Sequence, residues 1–131
     1  MTNNLLTCGQ LERKLSQEIQ AFYRQHLGHQ PSKVTCQFFQ AKLAIILENS
    51  ITSAEKVLID EGKSDLAQQV RSNLDGAIQP ELKQLIEKVA EVEVLDILSD
   101  ATLDTGRTGM IVILSQTPTV RNPESILKVK H

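Results

Sequence analysis

Between residues 11 and 27 the large apolar side chains fall at Leu11, Leu15, Ile19, Phe22, Tyr23 and Leu27. That spacing is the stripe of an amphipathic helix, with Arg13, Gln17, Gln20 and Arg24 on the other face. Gly28 predicts the helix stop, and Pro31 follows where a helix has already ended. The period then shortens to two. Val34, Cys36 and Phe38 alternate with polar residues, and Leu43, Ile45 and Leu47 repeat the alternation. Two strands joined by a short polar connection near residues 40–42 form a predicted hairpin. No Asn-Gly or Asp-Gly pair sets its turn.

Thr52-Ser53-Ala54-Glu55 has the form of a capping box, a hydroxyl at the cap and a carboxylate three residues on. It predicts a short helix over residues 53–61. Gly62-Lys63-Ser64 then punctuates the chain, with Ser64 as the expected cap of the next helix. That helix carries Leu66, Val70, Leu74, Ile78, Leu82, Leu85, Ile86 and Val89 on one stripe. Gly76 and Pro80 interrupt it, and an interior proline removes a hydrogen bond and crowds the preceding turn. A kink or break is expected over residues 76–80, with the two halves roughly in line.

Residues 92–98 are dense in Val, Leu and Ile, and residues 110–114 are an unbroken apolar run, as in a strand covered on both faces. The Thr, Asp and Gly residues of 100–109 read as the loop between these two strands. The order helix, hairpin, helices, hairpin predicts an α+β fold: a four-stranded, mainly antiparallel sheet with helices on one face. Ile19, Phe38, Ile45, Leu74, Leu82 and Ile113 are the expected core. The domain should close at residue 115. Residues 116–131 contain two prolines and a net positive charge, against a net negative body, and predict a tail that is mobile or ordered by a partner. Within it Ile126, Leu127, Lys128, Val129 and Lys130 form an alternating apolar and basic segment suited to pairing with a strand edge.

Composition narrows the function classes. The 131 residues suit one domain, and 40% apolar with 23% charged residues is ordinary globular material. A net charge of −2, 3% aromatics and no Trp disfavour nucleic acid as a partner. No apolar run approaches the length of a membrane span, and the N-terminus lacks the form of a secretory signal. Two cysteines without an export signal point to a reduced, cytoplasmic protein.

The chain also resembles the DUF2294 family, whose domain is called MpsC-like. The resemblance is carried by Gly9-Gln10-Leu11, by residues 28–34 with Gly28 and Pro31, and by Ile51-Thr52 with Ala54-Glu55. Arg71 and Pro80 in the long helix, and Ser99 to Thr102 with Thr105-Gly106, complete it. It spans residues 9–114. His29 and Gln30 replace a basic residue and a glycine usual in that family, and Asn49 replaces another glycine. The family has no established enzymatic activity. Its name implies, for this chain, a soluble accessory to a sodium-translocating, membrane-potential-generating system.

Candidate chemistry is sparse. Cys8, His26, His29 and Cys36 are zinc-type ligands, but the stop at Gly28 separates the two histidines, and the cysteines do not pair by spacing. No metal and no cofactor is expected. Thr105, Gly106, Arg107, Thr108 and Gly109 form a glycine-containing segment whose N–H groups and arginine would suit an anion or small ligand, although the P-loop spacing is absent. No Ser, Cys or Lys is flagged as an activated nucleophile, so no catalytic residue is assigned and an enzyme is not expected. The reading that remains is a small regulatory domain acting by protein contact. Its first expected partner is a second copy, through a strand edge or the open sheet face. Another protein, such as a membrane-associated transport system, is the next. A small-ligand or anion sensor using the hairpin loop from Gly106 to Gly109 is the alternative.

Overall fold

A computed structural model describes residues 5–128. Its first helix, α1 (Cys8–Leu27), begins earlier than its apolar stripe because Thr7 and Gln10 form a reciprocal capping box. Gly28 ends it in the left-handed region, φ 68°, with its N–H donating to the Arg24 carbonyl at 3.0 Å. β1 (Lys33–Phe39) and β2 (Lys42–Glu48) follow, joined by the two-residue turn Gln40-Ala41. Gln40 takes φ 52° there, the positive value such turns demand.

The Thr52–Glu55 capping box starts α2 (Ser53–Asp60). The long helix α3 (Ser64–Ala90) has Lys63, not Ser64, at its cap, without a side-chain bond. It is continuous through Gly76 and Pro80, so of the expected kink or break the break does not occur. Packing decides this: Ile78, Leu82 and Ile86 are buried along one face, and their burial outweighs one missing backbone bond.

The second hairpin also differs from the sequence reading. β3 (Val94–Thr102) and β4 (Arg107–Leu114) extend into what read as loop, which contracts to residues 103–106. The strands carry on through polar residues because Thr108 is buried with its hydroxyl bonded, and because Ala101, opposite it, is small enough for the same layer. Gly106, at φ 73°, supplies the turn.

The four strands form one antiparallel sheet in the order β1-β2-β4-β3, as the α+β reading anticipates. The α1 and α3 helices cover one face. Cys36, Phe38, Leu43, Ile45, Leu47, Met110, Val112 and Leu114 meet Leu15, Ile19, Tyr23, Leu82 and Ile86 there. Of the six residues expected in the core, Ile19, Phe38, Ile45 and Leu82 are buried. Leu74 and Ile113 are only half-buried. Leu74 lies beside the buried position that Arg71 takes, and Ile113 points to the other side of the sheet from Val112 and Leu114.

The segment after residue 116 does not stand apart from the core. Val120 and Ile126 are buried within it. The Asn122 side chain accepts from the Cys8 N–H at 2.7 Å, and the Arg121 N–H donates to the Leu6 carbonyl at 2.8 Å. Leu127 makes a parallel bridge with Phe39, and its carbonyl accepts from the Gln40 N–H at 2.8 Å. The strand-edge pairing expected of this segment thus falls, at Leu127, on the chain's own β1. Val129 and Lys130 lie outside the described residues.

Candidate functional site

Strand alternation sends every second side chain of the sheet away from the helices. The register sets these side chains in rows across the sheet. Phe39, Lys42, Ile113 and Asp96 form one row, and Gln37, Ala44, Ile111 and Leu98 the next. Thr35, Ile46, Gly109 and Asp100 form the third. At the far end Lys33 pairs with Glu48 and Thr102 with Arg107. Among the described residues no helix covers this face. Ile46 is 41% exposed and Leu98 54%, while Ile111, Ile113 and Ala44 are half-buried only by their neighbours. Gly109 leaves space into which Ile46 leans. An apolar centre on β2, β4 and β3 is thus ringed by charge: Lys33 and Lys42 on the β1–β2 side, Asp96 and Asp100 on the β3 side. Lys42 sits over the Phe39 ring, 5.8 Å from its centroid.

The sheet edges are blunted by comparison. Along β3 the Val94, Ile97 and Ala101 N–H groups donate to the carboxylates of Glu87, Asp96 and Asp100 at 2.8–2.9 Å. On the β1 side, the Phe38 N–H donates to Glu12 at 2.8 Å and the Gln40 N–H is taken by Leu127. Donors already occupied do not invite a further strand.

A buried ion cluster holds the end of this sheet. Arg71 donates from Nε to Glu55 Oε2 at 2.8 Å, and from Nη2 to Glu55 Oε1 at 2.6 Å and to the Ser50 carbonyl at 2.8 Å. Its Nη1 reaches Asp75 Oδ1 at 3.2 Å. The side chains of Arg71 and Glu55 are 1% and 0% exposed. Ser50 continues the network to the Gly106 carbonyl and the Thr108 hydroxyl, at 3.0 and 2.8 Å. The second hairpin, α2 and α3 are thereby tied through one guanidinium. Burial works to raise the Glu55 carboxyl, but hydrogen bonds from Arg71 and Thr52 outweigh it and hold it below the ordinary range. Burial likewise opposes charge on Arg71, but Glu55 and Asp75 raise its pKa further. Asp75 is pushed up by burial, which its bond to Arg71 does not fully offset. The sequence reading met Thr52 and Glu55 as a capping box and Arg71 only within the family resemblance, and assigned none of them to a site. The one direct signal was the capping-box glutamate, since nothing along the chain shows that an arginine sixteen residues on meets it.

The residues singled out for an anion loop are dispersed by the fold. Thr105 and Gly106 are in the turn, and Arg107, Thr108 and Gly109 are in β4. Arg107 Nε is engaged with Glu48 at 2.7 Å, Thr108 is buried, and Gly109 lies on the open sheet face. Cys8, His26, His29 and Cys36 are not gathered either. His26 stacks on Phe22 and lies 3.2 Å from Glu81, in a groove of about 570 Å³ between α1 and α3. The ring of His29 bonds the Asn49 carbonyl at 2.8 Å. Asn49 itself holds φ 52°, which suits an asparagine where the resembling family has glycine. Cys8 and Cys36 are free thiols, each pushed up to about 11, chiefly by burial. Among the described residues no three His, Cys, Asp or Glu side chains are grouped to hold a metal. No helix among them is long and apolar enough to cross a membrane.

These features define a small α+β domain whose sheet has one face packed by helices and the other left uncovered by the described residues. A family model described as "Na+-translocating membrane potential-generating system (MpsC)" matches residues 7–116, and the chain belongs to that family. No curated protein and no solved structure matches it.

Proposed function

We propose that this chain is a small, non-enzymatic accessory or regulatory domain that acts through protein–protein contact on the open face of its sheet. The observation that carries the reading is the apolar centre of that face, Ile46, Leu98, Ile111 and Ile113, with no element of the described residues across it. Strand β4 is apolar on both faces, a pattern typical of strands buried on both sides. A contiguous apolar patch ringed by charge marks an interaction site. The family's name supports a place beside a membrane-bound, sodium-translocating assembly. Two free cysteines suit a reducing compartment, so such a role would be exercised from the cytoplasmic side. The weak acidity of both thiols and the sealing of Glu55 and Arg71 support a non-catalytic role.

Ile111→Lys tests the reading. It places a charge at the centre of the face without entering the helix-covered core. The expected result is an unfolding midpoint near that of the unmodified chain and loss of association in sedimentation. Unchanged association would show that the face is not the contact surface.

A further inference from the structure

The charges around the open face identify its occupant. Acid and base are segregated: Lys33 and Lys42 lie on β1 and β2, and Asp96 and Asp100 on β3 at the opposite side. Glu48 is already paired with Arg107 across β2 and β4. We propose, building on the contact reading above, that a second copy of this chain covers the face, related by a two-fold axis that lies between the two sheets and runs parallel to their strands.

Facing sheets pack about 10 Å apart, with strands about 4.8 Å apart within each. A two-fold along the strands keeps each row in place and exchanges the β1 and β3 sides. Asp96 of the second copy then falls above Phe39, one strand from Lys42. Asp100 of the second copy falls above Thr35, one row from Lys33. Ile111 lies over Ala44 of the second copy, and Ile46 over Gly109 of the second copy, so large side chains meet small ones. Each acid–base approach occurs twice, because the interface is isologous. The result is a helix–sheet–sheet–helix sandwich with nearly aligned strands, the common way for two sheets to pack.

The other in-plane two-fold, perpendicular to the strands, fails on charge. It would lay β3 on β3, with Asp100 of the second copy one row from Asp96. It would also bring Lys42 of the second copy beside Lys33. Like charges so placed work against association. Pairing through the β3 edges fails for the same reason, and because the edge donors are already occupied.

Sedimentation equilibrium of the full chain, with Lys42→Glu, Asp96→Lys and the combined variant, tests this. The unmodified chain should be a dimer that weakens as salt is raised. Each single variant should weaken it by at least about tenfold. The combined variant should recover, and an equimolar mixture of the two single variants should form a mixed dimer, because both crossed pairs then have opposite charge. A dimer that both single variants leave intact would overturn the arrangement. A chain that stays monomeric, yet binds an apolar fluorescent probe that Ile111→Lys abolishes, would overturn the second copy while leaving the contact face for another protein. A dimer insensitive to Ile111→Lys would remove both readings.

Discussion

Arg71 is the largest fully buried side chain among the described residues. It is fully buried and makes four hydrogen bonds, to Glu55, Asp75 and the Ser50 carbonyl. Arg71→Met leaves Glu55 buried without its counter-charge and should lower stability by about 3–5 kcal/mol, measured by urea unfolding. Arg71→Met combined with Glu55→Leu should lose less, because no unpaired charge then remains. The same pair sets an acid limb. Glu55 is held below its ordinary 4.5 when folded. Its contribution is therefore complete above that value and is lost as pH falls through the lower folded one. Asp75 is raised by burial, so its contribution has the opposite sign and declines as pH rises through its folded value. Glu55→Gln should flatten the loss of stability below about pH 4.5 in a series of thermal melts.

At the scale of elements, the amphipathic patterns locate α1, β1, β2 and β4 well, because one buried face is enough to set a helix or strand period. They fail at the ends. The β3–β4 hairpin reaches beyond its apolar residues because Ser50 satisfies Thr108 from another part of the chain. The segment after residue 116 reads as a tail because of its two prolines, its few apolar residues and its net positive charge, yet Val120 and Ile126 each find a place against the core. Burying two such side chains contributes about 1.5–3 kcal/mol each. Deletion of residues 117–131 should therefore lower the thermal midpoint by at least about 5 °C, as followed by circular dichroism. A midpoint unmoved by the deletion would mean that these contacts contribute nothing.

At the scale of the molecule, the strand order β1-β2-β4-β3 puts the second strand of each hairpin at the centre. The two central strands have partners on both sides, and the outer strands on one. Hydrogen exchange should accordingly be slowest in β2 and β4, which open only with the whole domain, and faster at the outer edge of β3. This topology also creates the open face. Ile111 and Ile113 come from one strand, Ile46 from another and Leu98 from a third, and only the sheet makes them one patch.

The sequence by itself determined the local elements, the α+β class and most of the helix-covered core, since periodicity and end signals are properties of neighbouring residues. It also carried the family, through short motifs in order over most of the chain. Tertiary structure alone decided what depends on residues far apart: the Arg71–Glu55–Ser50 cluster, the docking of Val120 and Ile126, and the segregation of lysines from aspartates across the open face. The apolar run of residues 110–114 shows where the division falls. Its composition announces a strand covered on both sides, but only the fold reveals that one of those sides is left uncovered among the described residues.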